Sequence, residues 1–453
     1  MSEERVSIHG QWSTRMAFIL AATGSAVGLG NIWKFPYVAG ENGGGAFVLV
    51  YLACIAFIGA PIMMSEVLLG RRGARSPINT MRLLAGEENA SPLWRLVGWS
   101  GIVAGFLILS FYSVIAGWVV SYVFRMGGGG FEGVGAEEAG AIFGSLVGDP
   151  TQQLGWHTLF IVMTALVVAR GVENGLDKAA RWLMPLLFLL LLVMVGFAMS
   201  TDTFGFGLRF LFEPDFSALS FDGVLAAMGQ AFFSLSLGMG AIMMYGSYLP
   251  KDSSITGSVA TIALADTAVA ILAGMAIFPI VFANGLDPAA GPSLIFQTLP
   301  LAFGQMPGGA LFGTLFFVLL VVAAWTSAIS LIEPVVAWLV EQRNMSRVAA
   351  AALCTAVAWV LGIGTILSFN VGADVTLFGK TFFDLLDFLT TNIMLPMGGL
   401  FIAVFSVWVL RREVSRRELA LSPSAHALWI ALAGVVAPLA VLVIFLSGLG
   451  LLD

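Results

Sequence analysis

Asp266 and Glu66 each sit inside a long apolar run. An ionisable side chain at membrane depth costs about 3 kcal/mol on insertion scales and marks an ion or substrate path more often than packing. Two other apolar runs are interrupted. One carries Gly24-Ser25-Ala26-Val27-Gly28-Leu29-Gly30-Asn31 and the other Ser234-Leu235-Ser236-Leu237-Gly238-Met239-Gly240. Each Gly disfavours helix by about 1 kcal/mol and leaves the backbone unshielded. Non-helical backbone is tolerated in lipid only where it is buried in protein or lines a cavity. Matched Gly-interrupted segments in two halves of a chain point to the substrate site of a secondary transporter, where freed backbone dipoles meet ions and charged substrate groups.

The elements that must position these residues follow from composition. Of the 453 residues, 58% are hydrophobic and 11% charged, and the mean hydropathy is +0.94; a soluble domain carries about 25% charged residues. Eleven apolar spans lie between residues 14 and 450, most of them near the ~20 residues a membrane helix needs, which excludes a barrel of ~10-residue strands. The expected fold is an all-α polytopic membrane protein. The two breaks fall in spans 1 and 6, so spans 1 to 5 (14–201) and 6 to 10 (222–410) read as two five-helix repeats. Five is odd, so the second repeat is inverted; residues 426–450 form an eleventh span. All but four of the 21 Lys and Arg (Lys34, Arg125, Arg209 and Lys380) fall on one side, which fixes a cytoplasmic N-terminus and an outer C-terminus.

Several functions are excluded. No basic block could follow a phosphate backbone, so nucleic acid is not an expected partner. Cys54 and Cys354 lie in separate spans, and His9, His157 and His426 at the edges of different ones, giving no disulfide framework and no zinc or haem site. No His/Asp, Ser/Lys or Cys/His pairing stands at membrane depth, so an enzyme is not expected. The polar first 13 residues carry no cleavable signal, and the long outer loop 127–155 has no Asn to glycosylate, which favours a bacterial cytoplasmic membrane.

Gly24 to Pro36 with Glu41-Asn42-Gly43-Gly44-Gly45-Ala46-Phe47, the stretch Gln230 to Gly238, and Thr326-Ser327 together resemble the signature of the neurotransmitter:sodium symporter family. The likeness runs to about residue 410. Many members have twelve spans; the eleven here resemble bacterial members that take up hydrophobic and aromatic amino acids. Sodium is a hard cation that prefers oxygen ligands. The resemblance implies two sodium sites: one from the Ala26 carbonyl, Asn31, Ser234, Asp266 and the substrate carboxylate, the other from the carbonyls of Gly24, Val27 and Ala323 with the hydroxyls of Thr326 and Ser327. Chloride-dependent members hold a neutral amide at the Asp266 position. Here Tyr51, Gln230 and Ser234 of their anion site remain, but Asp266 supplies a negative charge of its own and Ala270 replaces another site residue. Chloride independence is therefore expected. On the return step, Asp266 without its cation would take a proton, seen as proton antiport. Glu66 is expected to anchor free amides of a broken helix.

For a zwitterion, the start of the outer half of span 1 at Leu29 and Gly30 offers a partial positive charge to a carboxylate. By resemblance Tyr112 donates to the same carboxylate, and the carbonyls of Ala26 and Phe233 with the oxygens around Ser236 take the ammonium. Ser25, Ile108, Phe233, Met239, Ser327 and Leu331 would surround the side chain, with no acid to pair with an amine. Lys34 and Asp387 match an outer gate pair, and Trp12, Tyr248 and Glu341 an inner gate whose usual Arg falls at His9; either His9 meets Glu341 or Arg5 or Arg15 takes over. Expected partners are thus an amino-acid substrate and the lipid bilayer, with an undefined oligomeric state. Alternatives are uptake of glycine or a small osmolyte, or an amino-acid-binding channel or receptor on the same scaffold.

Overall fold

The computed structural model describes residues 5–289, 291 and 293–451. Among the described residues, nine continuous helices are long and apolar enough to cross a membrane: Gly45–Gly73, Pro92–Gly127, Pro150–Ala169, Val172–Ala198, Ile255–Ala283, Gly309–Arg343, Arg347–Ser368, Phe382–Val409 and Pro423–Gly448. These are spans 2, 3, 4, 5, 7, 8, 9, 10 and 11. Two broken helices complete the set of eleven, and no strand occurs among the described residues beyond two isolated bridges.

Span 1 starts at Arg15, where the Thr14 hydroxyl accepts from the Ala17 N–H at 3.1 Å, a side-chain cap for an otherwise unpaired donor. It runs to Ala26, turns extended at Val27, and resumes over Gly30–Glu41 at 53° to its inner half. The break is narrower than the Gly-rich sequence suggests. Gly24 and Ser25 remain helical, because a Gly costs little where neighbouring spans cover its backbone, and only Val27 and Gly28 leave the helix.

Span 6 starts at Phe221 with Ser220 capping the Gly223 N–H, breaks after Ser234 and resumes over Ala241–Ser247. Through the break, φ is positive at Ser236 (+54°), Gly238 (+79°) and Gly240 (+75°). Gly tolerates this region without a Cβ penalty, whereas Ser236 is strained there unless held. It is held: its hydroxyl donates to the Ser25 carbonyl at 2.8 Å, tying one break to the other. Fully buried Glu66 accepts from the Gly238 N–H at 2.7 Å, the anchoring role expected of it.

Spans 3 and 8 pack along one another at the centre, 83% and 78% of their apolar windows buried, against 22% for span 11 at the periphery. Trp182, Leu189, Leu192 and Leu439 are exposed on spans 5 and 11, as expected of lipid-facing side chains. The outer loop is shorter than expected. Helix Ala136–Val147 folds inside it, and span 4 begins at Pro150 rather than 156, because Asp149 caps the N–H groups of Thr151 and Gln152 and Pro150 fills the first helical position.

Candidate substrate and ion sites

Both breaks and the middle of spans 3, 7 and 8 converge. The Asp266 carboxylate is wholly buried in span 7. It accepts from Ser234 at 2.5 Å, from the Asn31 side-chain amide at 2.8 Å and from the Tyr51 hydroxyl at 3.3 Å. The Asn31 amide also lies 3.1 Å from the Ser234 hydroxyl, and Gln230 donates to the Gly30 carbonyl at 2.7 Å. No cationic side chain pairs with Asp266 among the described residues. A carboxylate taken out of water needs a counter-charge, and the Asp266 carboxylate with the Ser234 hydroxyl offers oxygens that suit a hard monovalent cation. Thus Asn31, Ser234 and Asp266 of the first expected sodium set come together. Ala26 lines a cavity whose wall includes Gly30 and Phe233, the chain neighbours of Asn31 and Ser234.

The second set converges as well. The Ser327 hydroxyl lies 3.4 Å from the Gly24 carbonyl and 3.2 Å from that of Val27, and Thr326 donates to the Ala323 carbonyl at 3.0 Å. Inner span 1 and span 8 thus share one knot of oxygens.

Between the two knots lies a narrow cavity of about 30 Å³ that touches Ser25, Ala26, Leu29, Gly30, Ile108, Tyr112, Phe233, Ser236, Met239, Ser327 and Leu331. All eleven expected substrate residues are brought together, with no charged side chain among them. Gly28 and Ser330 also line it and were not foreseen. At Gly28 a Cβ would meet the Ser327 hydroxyl at 2.6 Å and that of Tyr112 at 3.0 Å, so Gly is what lets span 1 approach spans 3 and 8. Ser330 accepts from Ser25 at 2.8 Å; its place one turn below Thr326 and Ser327 was the available signal. The Tyr112 hydroxyl accepts from the Leu29 N–H at 3.4 Å, which sets it beside the positive end of the outer half-helix. Gly101 and Gly105, one turn apart on span 3, let the Gly238 and Met239 carbonyls approach; this small-xxx-small pattern also went unread.

Beside the cavity a vestibule of about 550 Å³ opens toward helix Ala136–Val147, whose Phe143 and Val147 line it, and shares Leu29, Gly30, Tyr112 and Phe233 with the cavity. Lys34 and Asp387 both line the vestibule, but the expected ion pair is not formed. The Lys34 ammonium stands 5.0 Å from the centre of the Phe233 ring, and Asp387 accepts from Thr391 at 2.9 Å. With the vestibule open, a cation over an aromatic face is the available partner.

The face that carries the N-terminal segment is closed. Trp12 donates from its ring to the Tyr245 carbonyl and from its backbone to the Tyr248 carbonyl, both at 3.0 Å. His9 lies 3.1 Å from Glu341, whose carboxylate also accepts from Ser76 at 2.5 Å and Asn79 at 2.6 Å. His9 therefore takes the place of the usual Arg; Arg5 is paired with Glu87, and Arg15 donates to Ser258. A second latch was missed: Tyr248 donates to buried Glu333 at 2.5 Å, and Glu333 pairs with Arg347, which donates to the Val168 carbonyl at 2.7 Å. The acid inside span 8 was visible in the sequence; its partners on spans 6 and 9 were not.

Broken helices around a buried acid, open on one side and latched on the other, are the geometry of a transporter. Residues 9–127 and 146–451 match the profile of the sodium:neurotransmitter symporter family. The chain belongs to that family. A sodium-dependent transporter of Bacillus subtilis (strain 168), YhdH, is 40% identical over 98% of both chains. A sodium-dependent transporter of Haemophilus influenzae is 33% identical over 97% of this chain and 98% of its own. The crystal structure of MhsT in complex with L-phenylalanine is similar with a TM-score of 0.89 at 45% identity, covering 97% of this chain and 99% of that one. As a symporter family member, the chain is a sodium-dependent multi-pass membrane transporter, not an enzyme.

Proposed function

We propose that this symporter couples two sodium ions to inward movement of a neutral amino acid with an apolar or aromatic side chain, without chloride, by alternating access. Residues 14–201 and 222–410 act as inverted repeats around the fixed site, with the N-terminus in the cytoplasm and the C-terminus outside. The observation that carries the reading is the buried Asp266 carboxylate, without a cationic partner among the described residues and bonded to Asn31 near the start of the outer half of span 1. One end of this arrangement calls for a cation, the other for a carboxylate. The substrate carboxylate would ligate the first sodium and accept from Tyr112 and the Leu29 N–H. The ammonium would meet the carbonyls of Ala26 and Phe233.

The uncharged lining offers nothing to pair with an amine-only substrate, which disfavours monoamines. Met239 lies between two glycines of positive φ and has a flexible, polarizable side chain, so it can yield to side chains of several shapes. In the tight cavity, an incoming side chain is accommodated by movement of Met239, Leu331 and the Phe233 roof. The solved relative MhsT binds L-phenylalanine, a substrate of this class. Two sodium ions with one zwitterion move two charges, worth about 4.6 kcal/mol at 100 mV; a proton carried back on Asp266 would lower that figure.

Equilibrium binding of labelled L-phenylalanine to purified protein tests the site. High affinity is expected in sodium gluconate and none in choline gluconate. Tyr112→Phe is expected to weaken binding about tenfold to a hundredfold, since a hydrogen bond to a charged group contributes about 1.5–3 kcal/mol. Sodium-independent binding, or full affinity in Tyr112→Phe, would contradict the assignment.

A further inference from the structure

The connection between spans 10 and 11 folds as helix Arg412–Leu419, which with its N-cap Arg411 carries four arginines in seven positions: Arg411, Arg412, Arg416 and Arg417. Two nearby cations are already neutralised. Arg411 pairs with Glu88 at 2.9 Å, and Arg71 of span 2 pairs with Glu418 at 2.9 Å while donating to the Ser253 carbonyl. Arg412, Arg416 and Arg417 are exposed and make no ion pair among the described residues. Arg412 and Arg416 are one helical turn apart and so share a face. Ser415 and Leu419, three positions on from Arg412 and Arg416, are buried beside this exposed stripe and anchor the helix, and Ser415 lies 3.0 Å from the His426 ring.

The helix cannot leave the membrane surface. Span 10 ends at Val409 just before it, and span 11 begins at Pro423 just after it. Trp408, 64% exposed, and Leu428, 60% exposed, flank it as lipid-facing side chains, and Trp408 is fixed by donating to the Gly434 carbonyl at 3.0 Å. Trp at this level marks the interface between hydrocarbon and headgroups. Three unpaired guanidinium groups are thus held at headgroup height, with geometry suited to phosphate oxygens.

We propose that Arg412, Arg416 and Arg417 form a binding surface for the phosphodiester headgroup of an anionic glycerophospholipid, which docks span 11 and the Arg71–Glu418 tie of span 2 to the leaflet. The site is independent of the transport substrate. Each arginine near an anionic leaflet contributes about fivefold to affinity.

Native mass spectrometry of the full chain, titrated with phosphatidylglycerol or phosphatidylcholine of the same acyl length, reads the bound lipid directly. Wild-type protein is expected to retain phosphatidylglycerol at least tenfold more tightly than phosphatidylcholine. The triple variant Arg412→Gln, Arg416→Gln, Arg417→Gln should lose that preference, while Arg75→Gln with Arg82→Gln, exposed on the same side, should keep it. Unaltered sodium-dependent amino-acid binding by the triple variant reports an intact fold. Equal retention of both lipids by the wild type overturns the proposal, as does an undiminished preference in the triple variant. Inorganic phosphate binding as tightly as the lipid would also overturn it, by assigning the surface to a soluble anion.

Discussion

Asp266→Asn is expected to lower sodium-driven uptake in chloride-free medium by two to three orders of magnitude. The carboxylate is completely buried and held at 2.5 Å by Ser234 and 2.8 Å by Asn31, and no basic side chain among the described residues balances it. Its charge is what a desolvated sodium ion would meet. Removing one member of a buried charge pair costs about 3–5 kcal/mol, and about 1.4 kcal/mol is a factor of ten. Asn keeps the shape and an oxygen but not the charge, so the loss should appear in sodium affinity rather than in thermal stability. Tyr51, Gln230 and Ser234 stay around the neutral amide, so chloride is expected to restore part of the uptake in the variant and none in the wild type. Initial rates measured over a sodium series, with gluconate or chloride as anion, give both numbers. Uptake by Asp266→Asn that matches the wild type in gluconate would remove this residue from the coupling.

Thr326→Val with Ser327→Ala should raise the sodium concentration for half-maximal uptake by about tenfold to a hundredfold. Val is close to Thr in shape, so packing is largely preserved while both hydroxyls are lost. Ser327 bridges the carbonyls of Gly24 and Val27 and so ties inner span 1 to span 8, while Thr326 donates to the Ala323 carbonyl of its own helix. Each lost neutral ligand is worth about 1 kcal/mol net. Loosening of inner span 1 should also shift the protein toward its inward-open form. A cysteine placed at Ser13, beside Trp12, would then react faster with a soluble thiol reagent in sodium than it does when Thr326 and Ser327 are intact. An unchanged sodium dependence would place the second ion elsewhere.

The parts of this site legible in the sequence were those with an intrinsic cost. Asp266 in an apolar run, and Gly clusters inside spans, are unfavourable unless a site compensates, and both lie at the convergence of spans 1, 3, 6, 7 and 8. Glu66 was read in the same way, and it does hold the Gly238 amide. The missed features belong to pairings that no local pattern encodes. Glu333 meets Tyr248 and Arg347 only after three spans fold together, and Lys34 faces Phe233, across from it on span 6, rather than Asp387. Nothing in the local sequence marks Gly101 and Gly105, within one apolar run, as the place where the Gly238 and Met239 carbonyls approach. The extent of the first break was overestimated for a related reason. Gly24 and Ser25 have low helix propensity, but the covering spans keep them helical.

Uptake of labelled L-phenylalanine into proteoliposomes tests the central claim most directly, with inward gradients of sodium chloride, sodium gluconate and choline chloride compared. Equal accumulation above equilibrium with both sodium salts, and none with choline, is the predicted result. Sodium-independent accumulation, a requirement for chloride, or binding without accumulation would contradict it.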